Sequence, residues 1–353
     1  MNKDSKVFTG CTVGLDVGDR RSAVCVLDED GEVIETGEIS TTRTGIRSRF
    51  GGKARMRVVL ETGTHANWLD EEFNLLGHEV IVANARKVRA ISAADRKSDR
   101  KDAEMLARLG RSDLELLSPV NPRSEDVRKD LLLVRARAVL VAQRTLLVNH
   151  VRGAVKPFGA RMPDKSTESF HKLALPKALA HALAPMMQLL KAITAQIAAY
   201  DEEIEKLGQG KYPHTSRLQQ VPRVGSLTST TFVLTIADPN RFKHARDVGP
   251  YLGLAPGKHQ SGKSDPQLGI TKSGDTMLRT LLVQCAQQIL RKASPDTNLK
   301  RFGLRIARKG DKISKRKAVV AVARKLSVLL LALWKSGEKY EPLRGSVPSA
   351  PKA

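Results

Sequence analysis

The sequence has few cysteines, no long apolar run and few aromatic residues, and each shortage excludes a class of protein. Its three cysteines are odd in number and lack the close spacing of a metal site, so a disulfide framework is not expected. The longest apolar run, residues 326–334, is interrupted by Ser327 and is shorter than the ~18 residues that span a bilayer. The first ten residues lack the apolar core of a signal peptide. We therefore expect a cytoplasmic, nucleoid-associated protein with no membrane partner.

Acidic residues are scarce relative to basic ones. The 353 residues include 60 Lys plus Arg and 37 Asp plus Glu, which is a formal net charge of +23. A surplus of this size favours a polyanionic partner, because each cation that neutralises a phosphate releases a counterion. A cationic surface without a specific partner is the alternative. Since aromatic residues make up only 4% of the chain, contacts with a nucleic-acid backbone should outweigh base stacking.

Short β-rich runs and helical patterns alternate over residues 11–110. Strands are predicted at residues 12–17, 22–27, 32–39, 57–61 and 79–83, and helices at 66–76 and 99–109. Three antiparallel strands followed by alternating helices and strands favour a mixed sheet covered by helices. Residues 114–125, which include two prolines, are typical of a linker.

The apolar spacing changes to a heptad pattern beyond residue 125. One seam steps alternately by four and three between Val127 and Val148, and a second does so between Met186 and Leu207. Two such seams predict an antiparallel helical hairpin or an intermolecular coiled coil. Ordinary core packing gives the same spacing in either helix alone. After residue 212, short helices and tight turns predominate.

Four carboxylates fall at positions where a metal site could form. Asp16 ends the first predicted strand, Glu61 ends the fourth, and Asp99 and Asp102 lie three residues apart on one helix face. Carboxylate oxygens suit Mg²⁺ or Mn²⁺, and two such ions ~3.5–4 Å apart can hold the attacking and leaving oxygens of a phosphoryl transfer. Taken singly, each residue is more simply a turn former or a partner of the helix dipole. Their order and positions together predict a metal site.

The phrases that carry these carboxylates are GLDVG, LETG and KSDRKDAEMLA, and they resemble those of the DEDD transposases over nearly the whole chain. The Piv-type DNA invertases belong with that family, whose N-terminal domain is similar to that of RuvC-type resolvases. The resemblance implies an α/β RNase H-like (RuvC-like) domain with Asp16, Glu61, Asp99 and Asp102 as catalytic, metal-binding residues. It further implies an insertion-sequence transposase that cleaves and rejoins double-stranded donor and target DNA.

Phrases of the second half, among them PYLGLAP, SGK and GITKSGD, are similar to the family's C-terminal transposase domain. That domain is understood to supply a nucleophilic serine, and the matching position is Ser261. The family phrase often has two serines before the glycine, whereas here the first is Gln260. Ser264 and Ser273 are weaker candidates, and without the resemblance Ser261 would be an ordinary loop serine. A serine hydroxyl needs activation by a base or a metal, and its attack on a phosphate would leave a covalent phosphoserine.

Cationic residues of the second half are candidates for contact with nucleic acid. They are Lys263, Lys272, Arg279, Arg301, Lys315, Arg316 and Lys317. The first three could neutralise charge on the phosphate in the transition state, and a solvated helix face is the alternative for the last four. The resemblance also implies a structured guide RNA encoded by the element. Because recombination joins four strand ends, we expect a homodimer or homotetramer, with the coiled coil as the assembly device.

Four parts are expected along the chain. They are an RNase H-like catalytic domain at 1–113, a helical coiled-coil domain at 126–208, a mostly α-helical C-terminal transposase domain with the serine at 212–336, and a flexible tail at 337–353. A RuvC-like structure-specific endonuclease without a covalent serine intermediate is the main alternative. An actin-like ATPase or sugar kinase would need a second glycine-rich phosphate loop, and a non-catalytic nucleic-acid-binding protein would leave the carboxylates unexplained.

Overall fold

A computed structural model describes residues 10–86, 88, 98–262, 264–266 and 268–344 of the chain. The contacts separate the chain into two units, Met1–Ser124 and Glu125–Ala353. The first unit extends beyond the boundary predicted at residue 113. The boundaries predicted within the second unit stay predictions.

A five-stranded mixed sheet forms the centre of the first unit. Its strands are β1 Thr12–Asp16, β2 Arg21–Leu27, β3 Val33–Ser40, β4 Arg57–Glu61 and β5 Glu79–Ala83. The strand order is β3-β2-β1-β4-β5, in which β2 is antiparallel to both of its neighbours and β4 is parallel to both of its own. This mixed sheet is consistent with the RNase H-like fold expected from the resemblance. Each predicted strand is present to within one residue at either end.

Four helices of the first unit are described, and two of them depart from the sequence prediction. They are α1 Arg43–Phe50, α2 Ala66–Leu75, α3 Asp99–Ser112 and α4 Leu114–Leu117. Helix α1 escaped prediction because only Ile46 and Phe50 of its eight residues are buried, which leaves no repeated apolar period. The interpretation of residues 114–125 as a linker is wrong at its start, where α4 forms and Leu117 is fully buried.

Helix α3 packs against β1 at a position without a side chain. A Cβ atom added to Gly14 would lie 1.9 Å from the carbonyl oxygen of Ala103, which is far inside van der Waals contact. Glycine therefore allows the backbones of the helix and the strand to touch. The same face of the sheet buries Cys25 together with Ala103 and Ala107 of the helix.

The direction of α3 follows from contacts near its other end. Arg57, the first residue of β4, donates from Nη1 to the carbonyl oxygen of Gly110 at 3.1 Å. The C-terminal part of α3 therefore lies at the amino ends of β1 and β4. Because Ala103 lies over the middle of β1, the first turn of α3, with Asp99 and Asp102, extends toward the carboxyl ends of these strands.

The second unit is mostly α-helical, as predicted. Its helices are α5 Glu125–Ala154, α6 Ala180–Gly210, α7 His214–Leu218, α8 Ser226–Ile236, α9 Val248–Tyr251, α10 Thr276–Ile289, α11 Asn298–Ile306 and α12 Lys312–Ser336. Helix α8 is at the centre, with every residue from 228 to 236 buried. Its Phe232 packs in one cluster with Leu278 of α10 and Leu326 of α12.

Helices α5 and α6 form an antiparallel hairpin within the chain. Val148, near the end of α5, shares a core cluster with Leu190 of α6, while Leu131, near the start of α5, shares another with Ile204. The two predicted seams meet in this hairpin, but the first seam is not regular, because Thr145, one of its positions, is exposed. Continuous heptad packing is not established, so the coiled coil stays a prediction.

Among the residues that the structure describes, one stretch is long and apolar enough by length and composition to cross a membrane. This stretch, Lys177–Gly210, contains α6. The apolar side chains of Leu190, Ile193 and Ile197 are buried in the second unit. Core helices of globular proteins can have the same composition, and this packing accounts for the apolar residues on the buried face of α6.

The first part of the predicted flexible tail is held by hydrogen bonds. The backbone N–H of Asn298 donates to the carbonyl oxygen of Pro342 at 2.8 Å, and its side-chain amide donates to that of Arg344 at 2.8 Å. The backbone N–H of Tyr340 donates to Gln220 Oε1 at 2.9 Å. The tail is thus bound to the second unit as far as Arg344, and residues 345–353 lie outside the described part of the chain.

Replacing Gly14 by alanine tests the contact between α3 and β1. We expect Gly14→Ala to lower the free energy of unfolding of the first unit by about 1–3 kcal/mol, because the methyl group overpacks the interface. Urea unfolding would measure the loss, and hydrogen exchange of the α3 amides would locate it. The matched control is Gly63→Ala, since a Cβ atom there meets nothing within 4 Å. Unchanged unfolding and unchanged α3 exchange in Gly14→Ala would contradict the packing described.

Candidate functional site

Asp16 and Glu61 line one cleft at the carboxyl edge of the sheet. Leu15 of β1 pairs with Leu60 of β4 in parallel register, so the residues that follow leave the two strands side by side. The cleft has a volume of about 300 Å³ and is also lined by residues 62–66, which lead from β4 into the first residue of α2. Both carboxylates are half-buried. The structure thus brings together two of the four predicted metal ligands.

The other two predicted ligands lie in the first turn of α3. Ser98 caps this helix by accepting a hydrogen bond from the backbone N–H of Lys101 at 3.4 Å. Asp99 is exposed and Asp102 is half-buried, and neither lines the cleft. In residues 10–86, 88 and 98–344, apart from 263 and 267, no three His, Cys, Asp or Glu side chains are grouped so that they could hold a metal ion. All four carboxylates lie at one edge of the sheet, but they do not converge as the sequence predicted.

His65 also lines the cleft, although the sequence analysis did not single it out. Trp68 donates from Nε1 to His65 Nδ1 at 2.9 Å, and His65 Nε2 lies 3.4 Å from Asp19 Oδ1. Because Nδ1 accepts a hydrogen bond, the proton of the neutral ring is on Nε2. That N–H group therefore donates to Asp19 Oδ1. The sequence signal was only a His and a Trp three residues apart at a helix start.

Ser261 lies at the tip of a β-hairpin between α9 and α10, which we call the serine hairpin (residues 253–274). Pro256 forms an antiparallel bridge with Ile270 along its arms. At the tip, Ser261 and Ser264 exchange two backbone hydrogen bonds of 3.1 and 3.0 Å. Gly262 has φ +55°, which a tight hairpin turn requires and glycine adopts without strain. Ser261 is exposed, so its hydroxyl is accessible to a large substrate.

Arg279 joins the two ends of the serine hairpin. It is buried, and its Nη1 donates to the carbonyl oxygens of Leu252 at 3.1 Å and Ser273 at 2.8 Å. Its Nη2 donates to Thr276 Oγ1 at 3.0 Å. The sequence analysis placed Arg279 on a phosphate. The structure instead directs its guanidinium to protein oxygens, which disfavours that role.

The other predicted nucleic-acid contacts differ in their surroundings. Those with exposed side chains are Lys272, Lys315, Arg316 and Lys317. Arg301 forms an ion pair with Asp296 at 2.6 Å, and this contact raises the pKa of Arg301 and lowers the pKa of Asp296. Part of the Arg301 charge is thereby offset within the protein. Lys263 lies outside the described residues.

Two family models match the chain. One, described as a transposase and named for the DEDD transposases of the IS110 type, matches residues 13–158. The other, described as the transposase IS116/IS110/IS902 family, matches residues 215–301. The first match includes all four carboxylates, and the second includes the whole serine hairpin.

Relatives of the chain include two transposases and a DNA-inverting protein. The chain is 29% identical to the transposase for insertion sequence element IS1111A of Coxiella burnetii, over 96% of this chain and 92% of that protein. It is 28% identical to the transposase for insertion sequence element IS1328 of Yersinia enterocolitica, over 65% of this chain and 70% of the relative. It is 24% identical to the pilin gene-inverting protein of Moraxella bovis, over 84% and 85% of the two chains.

Substitution of Arg279 and Lys272 separates a structural cation from a surface cation. We expect Arg279→Ala to lower the free energy of unfolding of the second unit by about 2–4 kcal/mol, because buried carbonyl oxygens lose their donors. The exposed Lys272→Ala should change it by less than about 0.5 kcal/mol. Urea unfolding followed by circular dichroism measures both. Unchanged stability of Arg279→Ala together with weakened DNA binding would assign Arg279 to a phosphate instead.

Proposed function

The chain belongs to the IS116/IS110/IS902 family of insertion-sequence transposases, and from this we propose that it cleaves and rejoins DNA by metal-assisted attack of Ser261 on a phosphodiester. The family accounts for DNA recombination as the activity. The serine, the metal and a guide RNA are the parts that the proposal adds. The observation that carries it is the cleft lined by Asp16 and Glu61, the last residues of two adjacent parallel strands. Both residues lie within the region that the DEDD transposase family model matches.

The carboxylates fit a divalent cation in their chemistry, since Mg²⁺ and Mn²⁺ prefer hard oxygen ligands. Asp16 and Glu61 would hold the cation from the sheet, and Asp99 and Asp102 from the first turn of α3. When bound, the cation would stabilise negative charge on the phosphate and on the leaving oxygen. Binding by all four residues requires a closer approach of the α3 turn to the cleft than the structure has.

Ser261 is proposed as the nucleophile. Its Oγ forms a bond to phosphorus, and the bond from phosphorus to a deoxyribose oxygen breaks. The serine proton passes to a base or to water, and the leaving oxygen takes up a proton in turn. The phosphoserine keeps the strand end on the protein in a phosphodiester bond, which a deoxyribose hydroxyl then attacks to rejoin the strands. The exposure of Ser261 at the hairpin tip supports this role, because a duplex can reach it there.

Double-stranded donor and target DNA and a structured guide RNA are the proposed nucleic-acid partners. The net charge of +23 and the exposed run from Lys315 to Lys317 support them, since backbone phosphates attract such cations. Assembly as a homodimer or homotetramer is supported by an exposed apolar face of α5. On it, Leu132, Val139 and Leu146 are seven residues apart, and each is about 60% exposed, as expected for a seam between chains.

A covalent-adduct assay tests the nucleophile. End-labelled DNA spanning the element junction is incubated with the protein, the flanking RNA transcript and Mg²⁺, and adducts that survive SDS are separated by electrophoresis. We expect Ser261→Ala to abolish the adduct because no nucleophile remains. Ser264→Ala, which keeps the backbone pairing of the hairpin tip, should retain it. Cleavage without an adduct, and unaffected by Ser261→Ala, would leave a RuvC-like endonuclease as the function.

The same assay tests the carboxylates with a matched pair of variants. Asp16→Asn should abolish both cleavage and adduct because it removes a metal ligand. Asp19→Asn changes a neighbouring carboxylate, which lies at the rim of the same cleft and is 91% exposed, and should leave both intact. Omission of divalent cations should reproduce the Asp16→Asn result. Absence of cleavage with every divalent cation would favour a non-catalytic nucleic-acid-binding protein.

A further inference from the structure

A cationic cavity lies in the connection between α5 and α6, at the closed end of the helical hairpin. We call it the tip cavity. Its volume is about 600 Å³, and it is lined by Arg152, Lys156, Gly159, Ala160, Arg161 and Met162. Three of these six residues are cationic and none is acidic. The tip cavity is therefore suited to an anion larger than a single simple ion.

The backbone around the tip cavity is held by the core beneath it. Val155 and Phe170 are fully buried in one cluster of the hairpin. Directly after Val155, a short 3₁₀ turn, Lys156–Phe158, forms part of the cavity wall and ends at Gly159 with φ +72°. Glycine adopts this left-handed conformation without strain. Lys156 is thus mounted on a turn that follows directly on the buried Val155, while Arg152 lies in the last turn of α5 and Arg161 follows Gly159.

Arg152 is oriented by two contacts and keeps part of its surface exposed. Its guanidinium lies over the Phe170 ring at 5.3 Å, and Nη2 donates to the carbonyl oxygen of Lys165 at 2.8 Å. Asp164 Oδ1 lies 3.6 Å from Arg152 Nη2, but the Asp164 side chain is fully exposed, so this ion pair is weak. For Lys156 and Arg161, no ion-pair partner is found among the described residues. The cavity therefore keeps most of its positive charge.

Phe158 adds an exposed aromatic ring on the same 3₁₀ turn as Lys156, although it is not itself among the residues that line the cavity. It follows Lys156 by two residues and precedes Gly159, and it is 70% exposed. Exposure of a phenyl ring to water is unfavourable. Phe170 is part of the hairpin core cluster, whereas Phe158 is not. Cationic groups beside an exposed aromatic face are the combination that binds unpaired nucleotides, because phosphate pairs with the cations and a base stacks on the ring.

We propose that the tip cavity binds the backbone of an unpaired nucleic-acid segment, with a base of that segment stacked on Phe158. Bases within a duplex are already stacked on one another, so the aromatic ring favours a single strand or a loop. The site lies on the helical hairpin and uses none of the residues assigned to catalysis. It depends on the proposed function only in so far as that function brings nucleic acid to the chain.

Binding of labelled oligonucleotides to the full-length protein tests this site. Fluorescence anisotropy is measured over a series of salt concentrations for single-stranded RNA, single-stranded DNA of the same sequence, and the corresponding DNA duplex. Lys156→Ala combined with Arg161→Ala should weaken single-strand binding at least tenfold and reduce the salt slope by about 1.4, or about 0.7 for each lost phosphate contact. Duplex binding should change less than twofold.

Phe158→Ala separates stacking from charge. We expect it to weaken single-strand binding by between about fivefold and a hundredfold with an unchanged salt slope, since no charge is removed. A larger loss with RNA than with DNA would identify an RNA loop as the occupant, and a larger loss with DNA would identify an unpaired DNA strand. Both results support the site. Equal affinity of Phe158→Ala and the unaltered protein would overturn it.

Matched controls exclude general electrostatics and a protein ligand. Lys172→Ala combined with Lys177→Ala removes the same charge from exposed residues of the same connection that do not line the cavity. An equal loss in this variant would show diffuse surface charge and overturn the proposal, as would competition by poly-glutamate as effective as that by the single strand. Repeating the measurement in Asp16→Asn keeps the test independent of catalysis, because binding at the tip cavity should survive there.

Discussion

The contact between α3 and β1 organises the first unit, and it depends on the absence of a side chain at Gly14. Any Cβ atom there would collide with the backbone of Ala103, so the helix would have to move outward. Because α3 runs antiparallel to β1, the contact also determines which edge of the sheet its first turn approaches. That edge carries Asp16 and Glu61. A packing constraint in the middle of the sheet thus places the acidic residues of helix and strands at one end of the unit.

A buried cation has a comparable role in the second unit. Arg279 supplies donors to backbone carbonyl oxygens at both ends of the serine hairpin, where buried acceptors without donors would be costly. The tip of the hairpin is held by two backbone hydrogen bonds and leaves Ser261 exposed. A fixed base with an accessible tip suits the nucleophilic role that we propose for Ser261, since the position of the serine is defined while its surroundings stay open.

The strands of the first unit could be predicted because each is a short β-rich run with turns or polar residues at its ends. This pattern is a property of the local sequence alone. Helix α1 could not, since its burial depends on just two apolar residues that pack on the sheet. The serine hairpin was also missed as a hairpin, because glycines and polar residues dominate residues 253–274 and its arms form isolated bridges. His65 was missed for a related reason: its significance comes from the cleft that it lines beside Asp16.

The sequence by itself determined the order of the carboxylates and the strands that Asp16 and Glu61 end, because these depend on residues adjacent along the chain. Only the tertiary structure decided which cations are available to a ligand. Arg279, Arg301 and Arg161 are the same residue type. Arg279 is buried and donates to carbonyl oxygens, Arg301 is paired with an aspartate, and Arg161 lines an open cavity. The physical reason is that burial and choice of partner depend on segments that are distant in sequence and meet only in the folded chain.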